Sequence, residues 1–306
     1  MSSQTFELLI LGSSAATPTS TRNPTAQLLN IAERFFLIDC GEGTQIQLRK
    51  YKARFQSVNH IFISHLHGDH FLGLPGFLAS MHLLGRKNEL TVYGPKELED
   101  IIMVIHKYSD TQLSYPLKFV ATQSLQKQVL WEDDKVEVYS FPLRHRIPTT
   151  GFLFKEKPLP RNINKYKLDK LDVSVAEIYK LKKGLDALDN NGNVIKNEDL
   201  TNPPPEPRSY AFCSDTGFFK ELAQSIQSVD LLYHESTFLE DKIDRAAQTF
   251  HSTASQAAQM AVLANAKNLL LGHFSARYAY LEDFLEEARP VFNNVSLATE
   301  GKIISI

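Results

Sequence analysis

Apolar residues fall in short runs bounded by turn formers at Glu7–Leu11, Ala26–Ile31, Phe35–Ile38, His60–Ser64, Leu90–Tyr93, Val136–Phe141, Tyr210–Ser214, Leu231–His234, Leu269–Leu271 and Val295–Ala298. Runs of this length and spacing predict buried strands. Between several of them, helical spacing with polar outer faces predicts helices over Thr44–Lys52, Gly73–Leu84, Lys96–Tyr108, Phe218–Ile226, Ser255–Ala266 and Leu281–Val291. Strands interleaved with helices make the chain α/β or α+β, with a large sheet system.

One stretch breaks the pattern. From Lys155 to Lys183 nine Lys/Arg face four acids, a local charge of +5, and the following residues to Arg208 reverse sign and carry DNNGN and a PPPEP run. An insertion over 155–208 on a hinged base fits this stretch. By charge alone, a solvated excursion with no partner fits it equally well.

Composition narrows the classes. A chain of 306 residues with 33 Lys+Arg against 35 Asp+Glu has no uniform basic coat, so a polyanion must meet a local patch. Hydrophobic residues at 43% and charged residues at 22% exclude wholesale disorder. No apolar run reaches the ~18 residues of a membrane span, since Phe71–Gly85 is interrupted by Pro75 and His82. The start, MSSQTFELLILGSS, lacks the basic region of a secretory signal. Cys40 and Cys213 form no C-x-x-C, which leaves neither a disulfide framework nor a thiolate zinc site and makes the cytoplasm the expected compartment.

The ten histidines carry the chemistry. In His65-Leu-His67-Gly-Asp69-His70 a strand leads into four candidate ligands within six residues. Extended backbone puts His65 and His67 on one side, and Gly68 lets the chain turn so that Asp69 and His70 serve a second ion. Catalytic zinc sites need further ligands from distant residues. His145, Asp215 and His273 each follow a predicted strand, where α/β sheets present functional groups, and a carboxylate such as Asp215 can bridge two cations.

These residues resemble the metallo-β-lactamase superfamily and, within it, the ribonuclease Z family of tRNA 3′-processing endonucleases. The finer match rests on Leu11-Gly12 through Thr17-Pro18 and Arg22-Asn23, on Asp39 to Gln45, and on His67 to Gly76. It continues through Ser214-Asp215-Thr216, His234 to Phe238, His251-Ser252-Thr253 and Gly272 to Tyr278, nearly the whole chain. The resemblance implies one metallo-β-lactamase αββα sandwich over 1–306, with the 155–208 stretch as a protruding, flexible exosite arm that clamps the tRNA elbow. It implies two zinc ions per subunit, one held by His65, His67 and His145, the other by Asp69, His70 and His273, with Asp215 bridging.

The implied reaction removes the 3′ trailer from precursor tRNA, leaving a tRNA 3′-hydroxyl and a 5′-phosphate on the trailer. Hydroxide generated at the metal pair attacks phosphorus, with Asp69 as proton acceptor. His251, just ahead of a helix, is the candidate acid for the departing 3′-oxygen, and Glu235 either holds its tautomer or is a structural carboxylate. Lys165, Lys167, Lys170, Lys180, Lys182 and Lys183 are candidate phosphate contacts on the arm. A homodimer is implied, and neither membrane nor DNA is an expected partner. The arm departs from the family's short form, because Leu171–Gly184 lacks its Gly-Pro-rich tip. Two alternatives are another hydrolase on this scaffold, acting on a small phosphodiester, lactone or thioester, and a degenerate non-enzymatic RNA-binding subunit.

Overall fold

The computed structural model describes residues 4–306. They form two compact units, residues 156–207 and residues 4–155 with 208–306.

The larger unit is built on two seven-stranded sheets. The first runs, edge to edge, through Ile303–Ser305, Phe6–Gly12, Ala26–Ile31, Arg34–Ile38, Val58–Phe62, Leu90–Gly94 and Leu117–Ala121. The second runs through Val295–Leu297, Asn268–Gly272, Leu231–Glu235, Ser209–Cys213, Thr150–Glu156, Val136–Pro142 and Gln128–Glu132. Their inner faces share one core, in which Leu8, Ile10, Phe36 and Phe62 meet Phe152, Phe154, Tyr210 and Phe212. The outer face of the first sheet packs on Leu48, Leu74, Phe77 and Leu98 of the helices Thr44–Lys50, Leu74–Leu83 and Glu97–Tyr108. The outer face of the second packs on the helix Ala254–Leu263, whose Ala257, Ala258 and Ala261 let it lie close, and on Phe284 of Glu282–Ala288. The fold is therefore the αββα sandwich, and burial on both faces is why its central strands read as apolar runs.

The expected strands and most expected helices form. The stretch expected as the helix Phe218–Ile226 is instead a 3₁₀ segment, Lys220–Ser225, entered from extended backbone at Phe219. Four strands of the two large sheets carry no readable signal. Leu117–Ala121, Gln128–Glu132 and Ile303–Ser305 are sheet edges, half exposed, and Thr150–Glu156 carries only three consecutive apolar residues between Gly151 and Lys155. The helix Ile243–Thr249 buries only Ala246 and so has no apolar stripe to read.

The smaller unit has two strand pairs, Asn162–Ile163 with Thr201–Asn202 and Ala187–Leu188 with Val194–Ile195, and the helices Lys165–Leu168, Val175–Lys182 and Asn197–Leu200. Leu181, Ala187 and Leu200 are its buried core. The Asn197 amide donates to the carbonyls of Leu181 and Leu185, and Asp189 accepts the backbone N–H groups of Asn191 and Asn193 around Gly192, which has φ +85°. The DNNGN turn is thus stitched by its own aspartate.

Candidate metal centre and active site

Strand ends supply the site. The strand Val58–Phe62 stops two residues earlier than expected, and Ile63–His67 leads into a one-turn helix, Gly68–Phe71, that carries Asp69 and His70. Close packing fixes that turn. A side chain on Gly41 would meet the Asp69 carbonyl and the Pro24 ring, and one on Gly73 would strike the Gly41 carbonyl. From the second sheet come His145 after Val136–Pro142, Asp215 after Ser209–Cys213 and His273 after Asn268–Gly272. His273 has φ +58°, a conformation that non-glycine residues rarely adopt and that clusters at functional sites.

All seven predicted donors converge, in two groups. In the first, His67 Nδ1 lies 3.0 Å from His65 Nε2 and 3.2 Å from His145 Nε2, and Asp215 Oδ2 lies 3.5 Å from His65 Nε2 and 3.7 Å from His145 Nε2. In the second, Asp69 Oδ2 lies 3.4 Å from His70 Nε2 and 3.3 Å from His273 Nε2. Asp215 Oδ1 is 3.3 Å and 3.2 Å from the same two nitrogens. Tetrahedral ligands about 2.0–2.1 Å from one zinc ion stand about 3.3–3.4 Å from each other, so both groups have the dimensions of a cation site. The two oxygens of Asp215 divide between them.

The hydrogen-bond network sets the tautomers. His70 Nδ1 donates to Asp39 Oδ2 at 2.7 Å, His145 Nδ1 to the Phe250 carbonyl at 2.9 Å, and His65 Nδ1 to Ser64 Oγ at 3.0 Å, which itself donates to Asp39. Thr237 Oγ1 donates to Glu235 and accepts from His273 Nδ1 at 2.9 Å. Each of these four rings therefore turns an Nε2 lone pair inward, the orientation that outer hydrogen bonds impose on metal-ligating histidines. The buried His70 Nε2 and Asp215 Oδ1 make no hydrogen bond to each other or to anything else described. Two buried polar atoms aimed at one point with no hydrogen bond joining them fit a cation there.

Charge agrees with the geometry. Burial opposes a proton on His70, but Asp69, Asp215 and Asp39 together raise its pKa well above the ordinary value. Burial likewise opposes ionised Asp69, and His70 and His273 hold its pKa far below the carboxylate range. Three carboxylates around one ring are an anionic well that cations neutralise. Burial pushes the Cys40 thiol up to about 12, which keeps it a core residue and no ligand.

His251 lies beside this cluster, its ring 5.1 Å from that of His145. Its Nδ1 donates to Glu235 Oε1 at 2.8 Å. Burial would lower its pKa, but the Glu235 carboxylate raises it to about 9, so the ring is an imidazolium at neutral pH. Glu235 also accepts from the N–H groups of Thr216, Ser252 and Thr237 and from the Thr237 hydroxyl, so it both orients His251 and ties three loops. The capping residue ahead of Ala254–Leu263 is Thr253, paired with Gln256 in a capping box, and Ser252 instead donates to the Thr216 carbonyl. A cleft of about 460 Å³ opens over Asp69, Asp215, His251 and His273, and Arg146, Arg245 and Arg277 line its walls.

Sequence reasoning gave no role to Asp39, Ser64 or Thr237, whose polar atoms lie under the ligands, nor to the three arginines. Asp39 carried one readable sign, its place in the Asp-Cys-Gly turn, where it takes φ +52°. The remaining histidines are structural. His60 packs on Phe36 and Trp131, His82 accepts the Ser114 N–H, His106 is buried on its helix, and His234 donates to a backbone carbonyl. The six arm lysines are all exposed. Among them Lys180 pairs with Glu177, and Lys170 and Lys183 sit over the rings of Tyr166 and Tyr179.

The chain is 50% identical over 297 residues to a ribonuclease Z of Cytophaga hutchinsonii, a match covering 97% of this chain and 95% of that one. It is 45% identical over 301 residues to a ribonuclease Z of Bacteroides fragilis, covering 98% and 99%. The crystal structure of human tRNase Z, short form, superposes with a TM-score of 0.71 at 29% identity, covering 98% of this chain and 99% of that one. A family model described as anti-Pycsar protein Apyc1 matches residues 6–159, a span that holds His65–His70 and His145 and ends before Asp215.

Proposed function

The chain belongs to the ribonuclease Z family, and from that premise we propose how its residues carry out the reaction. It is a hydrolytic tRNA 3′-processing endonuclease of the metallo-β-lactamase fold, with a metal cofactor. The alternatives of a small-ester hydrolase and of a non-enzymatic subunit give way to relatives of this name matched nearly end to end.

The observation that carries the mechanism is the convergence of seven donor side chains on two points beneath an open cleft. The donor set, imidazole and carboxylate without thiolate, suits two zinc ions. His65, His67 and His145 would hold one, Asp69, His70 and His273 the other, and Asp215 both. When bound, the pair supplies Lewis-acid polarisation of the phosphoryl oxygen and a water acidified towards pKa ~7. Asp69 orients the attacking water and takes its proton on the carboxylate, which its neighbours keep ionised. His251, held by Glu235 through Nδ1, presents Nε2 to the cleft and gives its proton to the departing ribose 3′-oxygen. Arg146, Arg245 and Arg277 line the cleft where the flanking phosphates of the acceptor end must pass.

The exposed lysines of residues 156–207 support the reading of this unit as the tRNA-binding arm. Large apolar side chains are exposed at Ile46, Leu83 and Leu84, on and beside the helices Thr44–Lys50 and Leu74–Leu83, which supports the homodimer. A precursor tRNA substrate supports a cytoplasmic location.

The test is purified protein with a precursor tRNA bearing a 3′ trailer. Wild type should yield a tRNA 3′-hydroxyl and a 5′-phosphorylated trailer, Asp69→Ala should yield neither while keeping a native circular dichroism spectrum, and chelator should stop the reaction. Full activity in Asp69→Ala would sink the mechanism.

A further inference from the structure

Asp69 is the residue on which the proposed chemistry turns, and its Oδ2 accepts one backbone donor, the N–H of Ala16, at 2.7 Å. That N–H comes from a surface loop. Ala16 is exposed and has φ +60°, so neither burial nor local preference keeps it in place. The loop is closed at its neck, where Ser13 and Ser14 N–H groups donate to the Asn23 carbonyl at 3.0 and 2.9 Å. Inside the neck, Ser14 Oγ donates to the Thr17 carbonyl at 2.8 Å and Thr17 N–H to the Ala15 carbonyl at 2.7 Å.

Ser14–Ala15 pairs with Phe274–Ser275, and the Asn23 side of the neck is held by a carboxylate from the far end of the chain. Glu300, in the turn before the strand Ile303–Ser305, accepts the Asn23 backbone N–H on Oε1 at 2.5 Å and the Asn23 side-chain amide on Oε2 at 2.8 Å. The same Oε2 accepts from Gln47 Nε2 at 2.8 Å, and Gln47 also donates to the Leu11 carbonyl, which ties the carboxylate to the helix Thr44–Lys50 and to the first strand. On the other side of the loop Arg22 donates to the carbonyls of Ser275 and Tyr278. Three donors on one half-buried carboxylate are charge-assisted bonds, stronger than the neutral backbone pair at the neck. Glu300 does not line the cleft.

We propose that Glu300 is a positioning residue for the reaction: through Asn23 it holds the 13–23 loop so that the Ala16 N–H fixes which way the Asp69 carboxylate faces. This rests on the reading of Asp69 given above. Fixing Asp69 Oδ2 against His70 and His273 matters twice, for the second metal group and for the proton acceptor, so loss of the clamp acts on turnover and on metal retention with little effect on substrate binding.

The experiment compares wild type, Glu300→Ala, Glu300→Asp, Asn23→Ala and Asp69→Ala as metal-loaded proteins at a temperature where melting curves show each folded. The readouts are kcat and KM on precursor tRNA and zinc retained after dialysis against graded chelator. The expected result for Glu300→Ala is a kcat at least about tenfold lower at a KM within about twofold, with half the bound zinc lost at about 10–100-fold higher free zinc than in wild type. Glu300→Asp should recover most of both. Unchanged kcat and zinc retention in folded Glu300→Ala, or a loss confined to KM or to melting temperature, overturns the proposal. If Glu300→Ala does not fold, Asn23→Ala decides, because it removes one bond of the three, and unchanged kcat and zinc retention there also overturn it. Full activity in Asp69→Ala would instead overturn the reading of Asp69, whereas an inactive Asp69→Ala beside an unaffected Glu300→Ala condemns the clamp alone.

Discussion

Asp39 touches neither water nor cleft, yet one of its oxygens accepts from His70 Nδ1 and from Ser64 Oγ, and the latter in turn holds His65. One buried carboxylate thus orients a histidine in each metal group. Asp39→Ala is expected to weaken zinc binding about 10–100-fold, as read by chelator competition, while the ligand residues themselves stay intact. For His251 the expected outcome of substitution by Ala is a kcat lower by about 10²–10⁴ at little-changed KM, the usual worth of a positioned acid. Glu235 is a poorer place to read chemistry. Its removal orphans five donors, three of them on other segments of the chain, at about 1–3 kcal/mol for each buried group left unpaired, so Glu235→Ala should fail first in urea denaturation.

Elements show how separable binding and support are from chemistry. Lys155 pairs with Ser209 across adjacent antiparallel strands, so the ends of the 156–207 segment meet at a position where a short hairpin loop can close the chain. Replacing 156–208 by such a loop is expected to raise the KM for precursor tRNA strongly and to spare hydrolysis of a small phosphodiester. Unchanged tRNA cleavage would remove the arm from the binding account. At the turn between Gln128–Glu132 and Val136–Pro142, Asp133 accepts the N–H groups of Lys135 and Val136 and pairs with Arg34 at 2.7 Å. Burial opposes its ionisation, but those donors lower its pKa below the ordinary value. A carboxylate depressed in the fold stabilises it above the unfolded pKa of about 3.9 and loses that contribution as pH falls. Asp133→Asn should therefore narrow the stability difference between pH 7 and pH 3 in urea titrations.

At the scale of the whole molecule, the near-neutral total of 33 basic against 35 acidic residues hides a segregated charge. If all six arm lysines lie on tRNA phosphates, the logarithm of affinity should fall against that of salt with a slope of about −5, and each Lys→Ala should reduce it by about 1. The two donor groups join loops from both sheets, so cations held there would also tie the sandwich together at one edge. Chelation should accordingly lower the melting temperature as well as activity, and zinc in excess should restore both.

The sequence by itself determined most of the buried strands, five of the helices and the seven side chains that converge as candidate donors. A strand buried on both faces must be apolar throughout, and ligand chemistry admits few residue types, so both leave a mark in local order. Half-exposed edge strands such as Gln128–Glu132 left none, and the 3₁₀ turn at Lys220–Ser225 was read as a helix because apolar spacing does not distinguish the two over six residues. Tertiary structure alone decided which ring nitrogen each histidine offers, because that depends on Asp39, Ser64, Thr237 and the Phe250 carbonyl arriving from other segments. It alone put Glu300 under a loop that begins at residue 13. A hydrogen bond between residues hundreds of positions apart has no periodicity, and only the closed fold brings its two ends together.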